Sequence, residues 1–250
     1  MIVINKKRLE IILSAVIIGI LVFAFQTSGS KSESDLKTAS DDSWNTVAVT
    51  STPVSGKTIV VDAGHGAPDE GAESSDGTTE AQTNLKIALK LQNLLEQSGS
   101  TVILTRSDEN AIYDLDKKTL REKKISDIRN RVKIGNESSA DIFVSIHLNK
   151  IPQEEYWGWQ CFYKKNNDSS KKLAQSIQSN LNEAIQKDNK REAMQLDTVY
   201  IMKHVEIPIS IVECGFLSNK EEEQQLLNDE YQNKLAWGIY NGITDYFYES

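Results

Sequence analysis

The chain contains three histidines, His65, His147 and His204, and two of them stand where side-chain chemistry is readily done. His65 lies between Gly64 and Gly66 in VVDAGHGAPDEGAE (residues 60–73), and His147 falls near the end of the apolar run DIFVSIHLN (141–149). Two acids accompany them: Glu80 at the helix start TTEAQTNL, and Glu213 inside the strongly apolar SIVECGFLSN. A carboxylate among Ile209, Ile211, Val212 and Phe216 costs free energy unless a cation or a hydrogen-bond donor sits beside it. His65, Glu80 and His147 make an economical two-histidine, one-carboxylate set for Zn2+, leaving a fourth position for water. Zinc in such a set lowers the pKa of its water toward ~7 and polarises a carbonyl as a Lewis acid. Glu213 is then the candidate general base and acid. The glycines around His65 let a ligand approach without Cβ clashes.

The remaining chemistry-bearing residues have plainer readings. His204, in YIMKHVEIP, has no acidic constellation of its own and reads as a surface or capping residue. Cys161 and Cys214 match neither a zinc ribbon nor a CxxC pair, so two buried free thiols are expected, with one bridge as the alternative in an exported protein. Strand alternation turns Cys214 away from the face of Glu213. Glu221, Glu222 and Glu223 follow Asn219 at a helix start and read as partners of the helix dipole. Trp157 and Trp159 read as packing residues, with stacking on sugar rings as the alternative.

The elements that must carry these residues alternate in type. TIVVDAG (58–64), TVILTR (101–106), DIFVSIHLN, WGWQCFYKK (157–165), VYIM (199–202) and ISIVECGF (209–216) are β-branched or aromatic runs and predict strands. Thr79 and Gln82 form a capping box ahead of Ala81, Leu85, Ala88, Leu91 and Leu95, which repeat at helical spacing until Gly99. Further helical stripes run through Ile125, Ile128 and Val132, through Leu173, Ile177, Leu181 and Ile185, and through Tyr231, Leu235, Ile239 and Ile243. The expected fold is a single α/β domain with a mixed, mostly parallel sheet of about six strands and helices on both faces. Ligands of such sheets sit beyond the carboxyl ends of the strands, where His65, His147 and Glu213 all fall.

At 250 residues the chain suits one sizeable domain, and its net charge of -8 offers no basic surface for nucleic acid. Lys6, Lys7 and Arg8 precede the uncharged IILSAVIIGILVFAF (11–25), so residues 1–25 read as a signal-anchor or a cleaved signal peptide, with everything after residue 30 outside. Residues 26–56 are rich in Ser and Thr and read as a flexible linker, which leaves 57–250 as the folded catalytic domain.

In order and spacing, VVDAGHGAPDEGA, Glu80 before NL, ADIFVSIHLN and IVECGFLSN resemble the zinc-dependent N-acetylmuramoyl-L-alanine amidases of the amidase-3 type, from about Lys57 to Phe247. SIHLN followed by IP and a Trp-Gly pair, the GWQCFY run and the GFLSN turn are most similar to the germination-specific, spore-cortex branch of that family. The resemblance implies His65, Glu80 and His147 as zinc ligands, Glu213 as the catalytic glutamate and Asn149 as a residue facing substrate. It implies Arg131 and Asn136 as structural residues. The implied reaction hydrolyses the amide between N-acetylmuramic acid and the L-alanine of the stem peptide, a step toward the muramic-δ-lactam needed for germination. The implied place is outside the cytoplasm, at the membrane or in the wall, on the forespore or cortex side of a sporulating bacterium. The family usually has lysine where this chain has Ala81, and the loop 67–79 is polar. An activating membrane-associated protein or lipoprotein that orders this region is therefore among the expected partners, beside cortex peptidoglycan and the membrane itself. The rival readings are another zinc hydrolase of the wall, a carboxypeptidase or deacetylase, and a non-catalytic wall-binding protein.

Overall fold

A computed structural model describes residues 51–249. The apolar segment 1–25 and the linker as far as residue 50 lie outside the described residues, among which no helix is long and apolar enough to cross a membrane. The chain already packs onto the domain at Thr52, ahead of Lys57. The Thr52 hydroxyl donates to Ser98 O at 2.7 Å, and Val54 is fully buried.

Six strands and six helices follow: β1 (Thr58–Ala63), α1 (Glu80–Gln97), β2 (Thr101–Leu104), α2 (Leu120–Glu137), β3 (Ile142–Asn149), β4 (Gln160–Lys164), α3 (Asp168–Ile185), β5 (Met194–Leu196), α4 (Tyr200–His204), β6 (Ile209–Phe216), α5 (Lys220–Leu226) and α6 (Asp229–Tyr248). The capping box of Thr79 and Gln82 opens α1, and a second one, Thr119 with Glu122, opens α2. Each satisfies backbone N–H groups that a helix start would otherwise leave unpaired.

The sheet runs in the order β2-β1-β3-β6-β4-β5, and only the β4–β6 pairing is antiparallel. This is the mixed, mostly parallel arrangement expected from the alternating pattern. One face is covered by α1, α3 and α6, where Leu91, Leu173, Ile177, Leu235 and Ile239 are buried with Val61 and Ile146. The other face packs Val60, Phe143 and Ile209 against Val132 of α2 and Ile201 and Met202 of α4.

Two local expectations are corrected. VYIM is not a strand: Tyr200–His204 form the short helix α4, because Ile201, Met202 and Val205 at helical spacing go into the second core cluster. The sixth strand is instead β5, a three-residue edge strand with Met194 and Gln195 exposed, too short and too polar to stand out as a run.

Candidate active site

Three parallel strands and one helix start converge on the carboxyl edge of the sheet. The chain leaves β1 at Ala63, and His65 follows in the left-handed region with φ of 62°. A residue with a Cβ pays for that conformation unless its surroundings fix it. Here α2 supplies the fixing. Arg131 Nη1 donates to Ala63 O at 2.7 Å, and its Nη2 donates to His65 O at 2.5 Å. Arg106 adds bonds to Ala63 O and Gly64 O.

His147 lies on β3 in register with Glu213 on β6, one residue beyond the last β1–β3 pair of Ala63 with Ile146. Glu80 is the first residue of α1 and is 4% exposed. Its Oε1 lies 3.3 Å from His65 Nε2 and 3.1 Å from His147 Nδ1, and it also accepts from Leu148 N at 3.1 Å. Its Oε2 accepts from Ala72 N at 3.0 Å.

The donor set fits a tetrahedral cation. One atom from each of His65, Glu80 and His147 lies within 4.8 Å of the others. With metal–ligand bonds of ~2.0–2.1 Å, neighbouring ligands of a tetrahedral zinc ion stand about 3.3 Å apart, close to the two distances seen at Glu80 Oε1. The surrounding backbone leaves room for these rings and little else. A Cβ on Gly64 would stand 2.2 Å from His147 Cε1, and one on Gly71, itself at φ 68°, would stand 2.5 Å from Glu80 Oε2. Gly64→Ala must therefore displace the imidazole of His147. An activity loss of about 100-fold is expected, the scale set by ~1 Å misplacements, and steady-state kinetics on peptidoglycan checks it.

The electrostatics of the cluster are strongly polarised. Burial opposes a charged imidazole at His65, but hydrogen bonds to Asp69 and Glu80 outweigh it and hold the pKa up at about 9. Burial would raise Glu80, yet His147 and His65 keep it well below the usual carboxylate range. Glu213 goes the other way: burial, with the nearby Glu80 charge, pushes its pKa up against the pull of His147 and His65. Its Oε2 is buried without a hydrogen-bond partner. Two carboxylates of one site are thus driven apart, one held ionised among imidazoles and one favouring its proton, the pattern that separates a ligand from a proton-transfer group.

Residues 59–245 match the family model of the amidase-3 N-acetylmuramoyl-L-alanine amidases. The chain belongs to this family. It is 36% identical over 211 residues to the germination-specific N-acetylmuramoyl-L-alanine amidase of Bacillus subtilis, covering 84% of this chain and 87% of that one. Among solved structures it is similar to the CwlD amidase from Clostridioides difficile in complex with the GerS lipoprotein, at 45% identity and a TM-score of 0.76, covering 78% of this chain and all of that one. An N-acetylmuramoyl-L-alanine amidase from Clostridium difficile 630 follows at 32% identity and a TM-score of 0.67, over 76% of this chain and 96% of that one. The enzyme hydrolyses the amide joining N-acetylmuramic acid to L-alanine in peptidoglycan, and its substrate places its action outside the cytoplasm.

The amidase holds its catalytic edge with buried charge. Asp62, 1% exposed, accepts from Arg131 Nη1 at 2.5 Å, Ser145 Oγ at 2.5 Å and Thr105 Oγ1 at 2.7 Å, and Asp127 accepts from Arg131 Nε at 2.8 Å. Burial would raise the Asp62 pKa, but Arg131 and the two hydroxyls bring it down. Arg131→Met leaves both carboxylates uncompensated and is expected to cost about 3–5 kcal/mol, read as a lower denaturant midpoint. Because the folded pKa of Asp62 is depressed, this contribution is present above the unfolded carboxylate value and fades as pH falls through the folded one.

The glutamates after Asn219 do more than answer the helix dipole. Glu222 is buried and accepts from Gly158 N and Phe216 N, both at 2.8 Å, tying the end of β6 to the loop before β4. Glu223 accepts from the Ser75 N–H and hydroxyl, pinning the 67–79 loop to α5. That loop is further tied by Glu80 N to Ala72 O at 2.7 Å, Thr79 Oγ1 to Glu70 Oε2 at 2.9 Å and Lys150 Nζ to Glu73 O. Ala81, in place of lysine, is buried and offers its carbonyl to Arg106 Nη2 at 2.7 Å.

The other singled-out residues sort by contact. Asn136 bridges His204 O and Glu206 N, both at 2.9 Å, closing the turn between α4 and β6. His204 is exposed and stacks on Tyr200. Trp159 is fully buried and donates to Asn182 Oδ1, whereas Trp157 is half-buried beneath Lys187. Cys161 and Cys214 are free and buried, and burial raises both thiols. Asn149 ends β3 half-buried opposite Phe216, at the catalytic edge. The residue that sequence reasoning passed over is Asp69, whose Oδ2 lies 3.3 Å from His65 Nδ1. Its place four residues after His65 in the same glycine-rich turn was the available signal.

Proposed function

We propose that this amidase is zinc-dependent, with His65, Glu80 and His147 as the metal ligands and Glu213 as the group that moves the proton. The observation that carries this reading is the buried, unpartnered Oε2 of Glu213 on the strand beside His147, facing a cluster whose spacing suits a tetrahedral ion. Zinc held there would polarise the amide carbonyl and lower the pKa of the attacking water. Glu213 takes a proton from that water as its oxygen bonds to the lactyl carbonyl carbon. It returns the proton to the L-alanine nitrogen as the C–N bond breaks, so the peptide departs as a neutral amine. Asp69 holds His65 by its other ring nitrogen, and Asn149 faces the substrate from the end of β3.

The biological setting we propose is the spore cortex. Stripping stem peptides from muramic acids prepares them for a separate deacetylation and for δ-lactam closure, the mark needed in germination. Similarity to a germination-specific amidase supports this. An N-terminal signal-anchor or signal segment would deliver the enzyme to the forespore side of the cortex, and an activating lipoprotein fits the similarity to an amidase solved with one.

Digestion of intact cortex peptidoglycan by the full-length protein tests the reading. New lactyl ends and peptides beginning with free L-alanine are expected, lost with a chelator and restored by zinc. Released terminal amino acids or free glucosamine would instead identify a carboxypeptidase or a deacetylase, and binding without products a non-catalytic wall protein.

A further inference from the structure

One face of α2 addresses the His65 turn twice. Arg131 grips its backbone through Ala63 O and His65 O. Two turns earlier, Lys124 Nζ lies 2.8 Å from Asp69 Oδ1, and the other oxygen of that carboxylate lies 3.3 Å from His65 Nδ1. Lys124, Asp127 and Arg131 recur at helical spacing, so one rigid element sets both the main chain and the ring of His65. We propose that Lys124 is a positioning residue of the metal centre, acting through Asp69 to fix the ring of His65 with Nε2 toward Glu80. The proposal rests on the reading of His65 as a ligand.

The chemistry follows from the two ends of the carboxylate. A histidine that binds a metal through one nitrogen is oriented by what its other nitrogen donates to, and a carboxylate there also makes the imidazole a stronger ligand. A carboxylate with a single anchor could swing. Asp69 Oδ2 is left to the ring because Oδ1 is engaged by Lys124, while Gly71 N reaches Oδ1 only at 3.4 Å. The side chain of Lys124 is 49% exposed, so its contact with Asp69 is not required for the core. Exposed ion pairs contribute little to stability, which separates a positioning role from a structural one in experiment.

The test titrates zinc into the metal-free full-length protein against a competing chelator, comparing wild type with Lys124→Met, Lys124→Arg, Asp69→Asn, the Lys124→Met/Asp69→Asn pair and His65→Ala. Lys124→Met is expected to weaken zinc about tenfold, at the lower end of the ~10–100-fold effect of such outer partners, with the melting temperature of the metal-free protein unchanged. Lys124→Arg should restore affinity to within about twofold, since a guanidinium keeps the charge on Asp69. In the Asp69→Asn background the Lys124→Met effect should vanish, the non-additivity of two residues acting through one contact. Unchanged affinity in Lys124→Met, or a full effect persisting without the Asp69 carboxylate, overturns the proposal. Wild-type zinc affinity in His65→Ala would instead remove the ligand reading on which it rests.

Discussion

Glu213→Gln is expected to abolish peptide release from peptidoglycan while leaving the fold and the bound metal in place. The loss should be about 10²–10⁴-fold in kcat, the usual scale of a positioned proton-transfer group. The amide keeps the volume and shape of the side chain, so β6 and its packing are undisturbed, but it can neither accept a proton from water nor return one to the leaving nitrogen. Metal analysis of the purified variant separates this from loss of the ion. Stability gives a second, independent readout. Burial raises the folded pKa of Glu213, so ionisation works against the metal-free fold. The penalty is absent below the unfolded carboxylate pKa, grows as pH rises above it, and levels off beyond the folded pKa. Metal-free Glu213→Gln should therefore match wild type in acid and exceed it near neutrality, as measured by denaturant midpoints. A variant with wild-type turnover would take the proton-transfer role away from Glu213.

The parts of this site that were legible in the sequence are those whose chemistry is written locally. TIVVDA and ISIVECGF declare themselves as strands by β-branched runs, and Thr79 with Gln82 declares the start of α1. That much puts His65, Glu80, His147 and Glu213 at one sheet edge once the strands are parallel. What stayed hidden depends on contacts distant in sequence. Glu222 and Glu223 look like dipole partners in KEEEQQ until the end of β6 and the Ser75 loop close around them. Asp69, only four residues after His65, looks like a turn residue until its other oxygen meets Lys124 of α2. VYIM illustrates the converse: a strand-like run became a helix because the face it had to cover needed Ile201, Met202 and Val205 together. A polar, serine-rich loop reads as slack, yet residues 70–80 are held by carboxylates and carbonyls whose partners are up to 148 positions away.

Glu80 is the residue whose loss should reach furthest, because one carboxylate meets the two imidazoles and two backbone N–H groups at once. Glu80→Ala would leave His65 and His147 facing each other with ring centroids 5.1 Å apart and would leave Ala72 N and Leu148 N without their acceptor. Zinc affinity should fall by more than the ~100-fold that marks the upper range for outer partners, and activity should fall with it to background. Glu80→Gln separates the two duties. Its carbonyl oxygen can still accept from one of those backbone N–H groups, so most of the local fold should persist, whereas the charge that holds the imidazoles together is gone. Glu80→Asp keeps the charge but is shorter by one methylene, and α1 cannot advance to compensate because the capping box at Thr79 and Gln82 fixes its first turn. Ordered by zinc affinity, the series should run wild type, then Asp, then Gln, then Ala. Ordered by melting temperature of the metal-free protein, Gln should stand above Ala. If all three variants retained zinc at wild-type strength, the carboxylate would be a helix-start residue and the ion would have to be held elsewhere.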